Sequence, residues 1–297
     1  MSGLIDAHIH WCLFGRQPGE VVAEIGWLER NGYEAVIVFP LLAMEVPPER
    51  AIELIPGAVL DLTGIDASRM LLHDDLKAWL VFKSLWAAEA RSLQVLSFLD
   101  VRAWDGRSDL APWWDKGCTG LKNVLILEED EGKMRMTPLH QVIGIGREEY
   151  LNAHRAFFTA AALWNLPVVY HADLSHHAAF VEECLEANPK LRVVIPHLGF
   201  SRSRMARLLD RFPGVMTDIS NLRPFIEAER ESYRSFIIDY GERVLMGSDT
   251  VACLDLRPAL EYVHCVRKLR LPGEIEAAVL GGNARRFLGM LHSQSVK

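Results

Sequence analysis

Asp6-Ala7-His8-Ile9-His10 stands at the end of the apolar run that begins at residue 3, and this stretch decides how the rest of the chain is interpreted. Side chains alternate between the two faces of a strand, so residues 6, 8 and 10 share one face if the run is a β-strand. Two neutral imidazoles on one face can bind one metal ion. The stretch therefore predicts a strand that carries half of a metal site at its carboxyl end.

Three later runs follow the same pattern, because each is a short β-like segment that ends on a residue type found among metal ligands. They cover residues 166–171, 191–197 and 243–249, and they end on His171, His197 and Asp249. A histidine pair at this spacing could by itself face solvent or satisfy hydrogen bonds in a core. The recurrence of ligand residues at strand ends favours the metal site.

The whole chain alternates between β-like runs and helical stretches. The β-like runs are residues 3–10, 34–39, 94–100, 120–124, 166–171, 191–197, 214–220 and 243–249. The helical stretches are residues 20–31, 68–91, 147–164, 177–188, 201–212, 225–240 and 257–268. Near-continuous apolar strands suit a parallel sheet covered by helices.

Eight such alternations predict a TIM-type (β/α)8 barrel of the α/β class, folded as a single domain over residues 1–297. The active site of such a barrel lies at the carboxyl ends of its strands, where the candidate ligands fall. The alternative is an open doubly wound sheet. No Gly-x-Gly-x-x-Gly follows the first strand, so that sheet would lack the phosphate-binding turn of a dinucleotide site.

Composition and charge exclude several classes of partner. The 297 residues are 50% hydrophobic and 24% charged, with a formal net charge of -7, and the basic residues are dispersed among acids. We therefore expect no nucleic-acid partner. No basic leader and no apolar stretch of about 20 residues is present, so we expect no membrane association and a cytoplasmic protein. The five cysteines are widely spaced and are expected to be reduced.

Taken in order, the motifs resemble the amidohydrolase superfamily, in particular its branch related to aminocarboxymuconate semialdehyde decarboxylase, which contains amidohydrolase-2 type metal-dependent hydrolases. The resemblance spans residues 3–289. The residues that carry it are Asp6-Ala7-His8-Ile9-His10, His171, Pro196-His197-Leu198-Gly199, Gly247-Ser248-Asp249 and the closing Gly282-Asn283-Ala284-Arg285-Arg286-Phe287-Leu288.

The resemblance implies a site with metal ligands His8, His10, His171 and Asp249, and with His197 beside the metal-bound water or the substrate. Three imidazoles and one carboxylate suit Zn²⁺ first, and Mn²⁺, Fe²⁺ or Co²⁺ as well. Asp249 would accept a proton from water and return it to the leaving group. His197 would orient the water or stabilise an oxyanion. The structural alternatives are an aspartate that caps a turn and a core histidine.

Lys122 lies near the end of the fourth predicted strand and has three interpretations. Some members of the superfamily carry a carbamylated lysine there, which bridges two metals. An unmodified ammonium could instead bind a carboxylate of the substrate, or form an ion pair at the barrel mouth. We favour the unmodified ammonium, since the branch that this chain resembles usually has one metal.

Four further residues are candidates for substrate binding because they lie just beyond predicted strand ends. They are Trp11, His177, Arg202 and Arg223. A guanidinium binds a carboxylate through two hydrogen bonds, so arginines at this face would suit an anionic small-molecule substrate. Arg202 is as well explained as a solvated residue in the first turn of a helix.

Two stretches, residues 40–67 and 127–148, are longer than ordinary loops. Both are predicted to emerge at the catalytic face, where they would form a lid or a contact between subunits of a homo-oligomer. The second contains the acidic run at residues 128–131, which is interpreted as a solvated turn.

The leading hypothesis is a metal-dependent hydrolase of an ester, lactone or amide bond in a small, carboxylated molecule. The alternative is a nonoxidative decarboxylase or hydratase that acts on an aromatic or unsaturated acid at the same metal, because fold and ligands do not determine the reaction. Many decarboxylases of the branch have glutamate at the position of Asp6, which favours hydrolysis here. A third hypothesis, a barrel that has lost catalysis, conflicts with the filled ligand positions.

Overall fold

The structure, a computed structural model, describes residues 3–13, 16–42, 46, 48–55, 75–89, 91–107, 109–113, 117–252 and 254–290. Within these residues the strands are parallel and hydrogen-bonded in the order β8-β7-β6-β5-β4-β3-β2-β1-β9. Their bounds are β1 Leu4–Trp11, β2 Tyr33–Pro40, β3 Gln94–Asp100, β4 Gly120–Val124, β5 Val168–His171, β6 Val193–Ile195, β7 Val215–Asp218, β8 Val244–Leu245 and β9 Thr250–Val251.

The barrel closes where the eighth predicted strand meets the first. That strand is divided into β8, which pairs with β7, and β9, which pairs with β1. Between them, Ala7 N donates to Met246 O at 3.0 Å and Asp249 N donates to His8 O at 2.9 Å. Asp249 has a φ of 59°, so the strand geometry is interrupted at this ligand position. The predicted (β/α)8 barrel is confirmed.

Helices follow most strands and cover the outside of the barrel. Their bounds are Pro18–Arg30, Asp75–Ala88, Glu131–Met134, Leu139–Ile143, Arg147–Leu163, Leu174–Ala187, Arg202–Arg211, Arg223–Ala228, Arg230–Asp239, Arg257–Lys268, Gly273–Ala277 and Asn283–Leu288. Short 3₁₀ helices span Pro48–Leu54, Ala111–Trp113, Glu128–Asp130 and His197–Phe200, and a π-helical turn spans Ala278–Gly282. The single helix predicted over residues 225–240 is wrong, because Glu229 leaves helical geometry and separates two helices. Residues 68–74 of another predicted helix lie outside the described residues.

The strands separate two apolar cores. Alternate side chains of β2, namely Ala35, Ile37 and Phe39, point into the barrel, where they pack with Phe98 of β3. The intervening side chains face the helices and belong to the larger outer core. This division follows from the period of two along a strand.

In β1 the period is interrupted by a register shift between Asp6 and Ile9: Ile5 and Ala7 belong to the inner core, whereas Ile9 and Trp11 belong to the outer one. The rings of His8 and His10 pack on Phe39 inside the barrel, so the prediction that residue 6 shares their face is wrong.

The last helix, Asn283–Leu288, covers the amino ends of the strands. Arg285 Nη2 donates to Gly3 O at 2.9 Å, and Asn283 Nδ2 donates to Val244 O at 2.5 Å. Phe287 enters the inner core against Phe98, with ring centres 5.9 Å apart. The bottom of the barrel is therefore filled by side chains, which leaves the carboxyl ends of the strands as the open face.

The stretch after β4 folds over this open face. The acidic run predicted as a solvated turn is solvated only in part: Glu128 and Glu129 pair with Arg147 at the surface, whereas Asp130 is buried against His177. Among the described residues, no helix has the length and apolar character needed to cross a membrane.

Candidate active site

Three donor atoms from β1 and the β8–β9 junction meet at the carboxyl end of the barrel. His8 Nε2 lies 3.2 Å from Asp249 Oδ1, and His10 Nε2 lies 3.0 Å from the same oxygen. The three atoms lie within 4.8 Å of one another. His8 and His10 share a face of β1, and the left-handed backbone at Asp249 turns its carboxylate toward them.

The hydrogen bonds of His8 determine which of its ring nitrogens carries a proton. Nδ1 lies 2.9 Å from Asp218 Oδ2, an ionised oxygen that can only accept, so Nδ1 is the protonated nitrogen. The lone pair of the neutral ring is then on Nε2, which faces Asp249. Burial and Lys122 lower the pKa of His8, but Asp249 and Asp218 outweigh them and raise it. The two carboxylates therefore favour a proton or a metal ion at Nε2.

The donor set fits a metal ion. Asp249 Oδ1 is buried and has no hydrogen-bond partner among the described residues, although it faces two imidazoles. A carboxylate oxygen and an imidazole lone pair repel each other at 3.2 Å unless a proton or a metal ion lies between them. Two imidazole nitrogens and a carboxylate oxygen are ligands that suit Zn²⁺ and other divalent first-row transition metals.

His171 ends β5 and lines the same cavity. It is not part of the group of donor atoms within 4.8 Å, and its ring packs 5.1 Å from the ring of His197. Its Nε2 is buried with no hydrogen-bond partner in the described part of the chain. Burial, together with the neighbouring His197, lowers the pKa of His171 well below its usual value, so the ring is neutral. A neutral imidazole with an unused nitrogen is suited to ligation.

His197 follows β6 in a segment with unusual backbone. His197, Leu198 and Phe200 have φ values of 56°, 52° and 56°, a conformation that costs residues with a Cβ about 1–3 kcal/mol each. His197 Nδ1 lies 2.8 Å from the carbonyl oxygen of Ser220, which can only accept. Nδ1 is therefore protonated, and the neutral ring presents the lone pair of Nε2.

Asp218 joins these histidines and was missed in the sequence. It ends β7 and is fully buried. Besides His8, its carboxylate accepts from the backbone N of His197 and from Ser220 Oγ, at 3.0 and 2.6 Å. Burial opposes its ionisation, but His8 outweighs that effect and holds its pKa well below the usual value. Its position at a strand end, like that of His171, was the available signal.

The Asp218→Asn variant tests whether Asp218 positions His8. The amide cannot accept from His8 Nδ1 and at the same time from Ser220 and His197, so one contact is lost. Residues that orient a metal-ligating histidine in this way contribute about 10- to 100-fold in metal affinity. We expect a loss of this size in a competition titration with a chromophoric chelator. The exposed Asp239→Asn variant is the control, and equal affinities for the two variants would contradict the role.

Gly247 allows the β8–β9 junction to approach β1. A Cβ on Gly247 would lie 2.7 Å from the Cβ of His8 and 3.3 Å from that of Ser220. We expect Gly247→Ala to displace His8 and to lower the free energy of unfolding by about 1–3 kcal/mol, as overpacking does. Urea denaturation measures this. At Gly273 a Cβ meets nothing within 4 Å, so Gly273→Ala should not be destabilised, and equal losses in both variants would exclude the steric explanation.

Lys122 of β4 is buried at the centre of the site. Its Nζ lies 3.0 Å from His8 Nε2 and 3.9 Å from the centre of the Phe39 ring. Burial lowers the pKa of Lys122 to about 8, against the opposing effect of Asp100. Asp100 in turn is bound to Arg102, whose Nε and Nη2 contact its two oxygens. This ion pair was not predicted, although Asp100 ends β3 and Arg102 follows shortly after it.

The donors open into a cavity of about 360 Å³. Its polar lining residues include His10, Asp100, Arg102, Lys122, Lys133, His171, His197 and Asp249. Lys133 comes from the stretch after β4, where it binds Asp173 and lies over the ring of Phe200. The expectation that this stretch borders the site is supported for the described residues.

Four predicted substrate-binding residues do not line this cavity. Trp11 is fully buried against Trp79 and Phe82, because it lies on the opposite face of β1 from His10. His177 is bound to Asp130 at 2.6 Å. The structure therefore places Trp11 in the outer core and pairs His177 with Asp130, which corrects the prediction that they line the substrate cavity.

The two arginines are held by acidic residues on neighbouring helices. Arg202 Nη2 lies 2.5 Å from Glu229 Oε2, and Arg223 pairs with Glu261. Neither arginine is among the residues that line the cavity. The prediction that they recognise a substrate carboxylate is corrected, since their guanidinium groups already have carboxylate partners.

Comparisons with known proteins identify the family of the chain and agree with its fold. Residues 130–290 match a family model described as amidohydrolase. A comparison with curated proteins finds no match.

Solved structures with the same fold cover nearly the whole chain at low sequence identity. They include a dihydroorotase from Campylobacter jejuni, with a TM-score of 0.55, 16% identity and coverage of 98% of this chain and 84% of that one. An amidohydrolase from Burkholderia multivorans with bound zinc has a TM-score of 0.53, 16% identity and coverage of 97% and 99%. A lactonase from Listeria monocytogenes has a TM-score of 0.57, 12% identity and coverage of 96% and 94%.

Proposed function

The chain belongs to the amidohydrolase family, and we propose that it is a metal-dependent hydrolase of an ester, lactone or amide bond in a small, carboxylated molecule. The membership confirms the family expected from the sequence motifs. The observation that carries the proposal is the approach of Asp249 Oδ1 to the imidazoles of His8 and His10 without a hydrogen bond. This arrangement favours positive charge between the carboxylate and the imidazoles, and a divalent metal with nitrogen and oxygen ligands would supply it.

His8, His10, His171 and Asp249 would hold the ion. Bound there, a divalent metal lowers the pKa of water from about 15.7 to about 7 and polarises a carbonyl group. Zn²⁺ is the ion proposed, since imidazole and carboxylate ligands suit it.

Asp249 is proposed to move the proton during hydrolysis. Interactions with His8 and His197 outweigh the effect of burial and lower the pKa of Asp249 well below its usual value, so its carboxylate is ionised and can accept a proton. The same carboxyl group would then protonate the leaving oxygen or nitrogen. Both transfers need the group within hydrogen-bond reach of the reacting atoms, and the position of Asp249 on the cavity wall supports this role.

His197 is proposed to orient the attacking water. Because its Nδ1 proton is held by the Ser220 carbonyl, the neutral ring can accept a hydrogen bond at Nε2 but cannot donate one. Burial lowers the pKa of His197, which keeps the ring neutral. Of the two roles considered from the sequence, the orientation of water is therefore favoured over donation to an oxyanion.

Lys122 is proposed to bind the substrate carboxylate. The single lone pair of His8 Nε2 can be used by Lys122 or by a metal ion, but not by both. When the metal uses it, the buried ammonium loses that hydrogen-bond acceptor, and a buried N–H group without an acceptor is costly. A carboxylate of the substrate would supply the missing partner.

The test is a screen of the metal-loaded protein against lactones, esters, amides and aromatic carboxylic acids. Release of acid from one of the first three classes, with no release of CO₂ from the aromatic acids, is the expected result. Release of CO₂ without hydrolysis would contradict the proposal and would assign the site to a decarboxylase.

A further inference from the structure

The outer part of the cavity is apolar, in contrast to its base. Three loops supply the apolar wall near the mouth: the stretch after β4, the segment after β6 and the segment after β7. Its residues are Met134, Met136, Phe200, Leu222 and Phe225. Lys122 and Arg102 at the base are 1% and 5% exposed, and Met136 and Leu222 are buried to a similar degree, whereas Met134 and Phe200 are partly exposed and Phe225 is largely exposed.

Phe225 marks the mouth of the cavity. Its side chain is 57% exposed, and among the exposed large hydrophobic residues of the described chain it is the one that lines the cavity. It belongs to the helix Arg223–Ala228, whose Ile226 is buried in the core. The helix is therefore anchored by another side chain, and Phe225 is not needed to hold it. A large exposed aromatic ring at the edge of a cavity gains from contact with an apolar ligand.

The one cation at this rim among the lining residues, Lys133, is already neutralised. Its Nζ lies 2.6 Å from Asp173 Oδ2 and 4.2 Å from the centre of the Phe200 ring. The rim therefore offers no net charge to a second anionic group of a ligand. The aliphatic stem of Lys133 and the Phe200 ring instead add apolar surface to the rim.

We infer that the substrate carries an apolar alkyl or aryl group, which extends from the buried polar base to the mouth and is bound by Met134, Phe200 and Phe225. This inference rests on the proposed function and specifies its substrate class: an amphipathic molecule with its carboxylate and its scissile bond at the base. Phe225 is the residue that determines the preference for the apolar group.

Straight-chain carboxylates test the apolar wall independently of the reaction. Calorimetric titration of the metal-loaded protein with butanoate, hexanoate and octanoate measures affinity as the chain lengthens. Each buried methylene contributes about 0.8 kcal/mol, so Kd should fall by up to about fourfold per added carbon. The ratio of the butanoate Kd to the octanoate Kd is the quantity compared between variants.

Phe225→Ala should lower this ratio several-fold, and Phe225→Leu should restore part of it. Leu163 is 79% exposed and is absent from the residues that line the cavity, so Leu163→Ala is the matched control and should keep the wild-type ratio. A wild-type ratio near one would overturn the inference, and so would equal ratios in Phe225→Ala and Leu163→Ala. Failure of the proposed function is a separate result, because it appears as the absence of hydrolysis in the substrate screen.

Discussion

Asp249→Asn is expected to lower turnover by about 10²- to 10⁴-fold, the usual size of a general acid–base contribution, while the protein keeps most of its metal. Asparagine still offers an oxygen to the ion, but it cannot accept a proton from water. Initial rates and elemental analysis of the same sample separate the two effects. The exposed Asp239→Asn variant removes the same charge far from the site and should keep the wild-type rate.

Near-normal turnover in Asp249→Asn would leave Asp249 as a ligand only, and another group would have to act as the base. His197→Asn is likewise expected to lower turnover while the metal content stays at the wild-type value, because His197 is proposed to act on water. A large loss of metal in His197→Asn would instead make His197 a ligand.

Lys122→Met is expected to weaken the binding of carboxylated substrates by about 10- to 100-fold, since a hydrogen bond to a charged group is worth about 1.5–3 kcal/mol. Methionine has a similar length and suits a buried position. The corresponding neutral carboxamides should lose much less, so the comparison of acid with amide isolates the charge. Values of KM for both series provide the measurement, and the exposed Lys190→Met is the control.

The metal content of Lys122→Met also shows whether Lys122 is an unmodified ammonium or a carbamate. If Lys122 is unmodified, metal content per chain stays at the wild-type value in Lys122→Met. Loss of one of two ions from the variant would mean that a carbamylated Lys122 bridges a binuclear centre, and the proposed role of the lysine would be wrong.

The strands could be predicted because most of them are short, near-continuous apolar runs that alternate with helical stretches. The runs 94–100 and 120–124 match β3 and β4 to the residue. The eighth strand could not be predicted in detail, since its division depends on the left-handed backbone of Asp249. Residue type alone does not reveal that conformation for an aspartate.

The convergence of strand ends explains which site residues were found, and partners distant in the sequence explain which predictions failed. His8, His10 and Asp249 were found because strand ends in a barrel converge. Arg202 and Arg223 lie close to strand ends, but their partners Glu229 and Glu261 are distant in the sequence, so the ion pairs could not be foreseen.

Trp11 and Asp218 show what the sequence pattern already contained. Alternation along β1 directs Trp11 away from the face of His10, so its place in the outer core follows from the period of two. Asp218 ends its strand as His171 does. Its interpretation as a buried partner of His8 required the distance between β7 and β1 across the barrel, which only the fold supplies.

Metal content of the purified chain tests the central claim most directly. The convergence of His8, His10, His171 and Asp249 predicts close to one Zn²⁺ or Mn²⁺ per chain by elemental analysis after mild dialysis, with loss of metal in His10→Ala. A chain that contains no transition metal and cannot be reconstituted with Zn²⁺, Mn²⁺, Fe²⁺ or Co²⁺ would contradict the account.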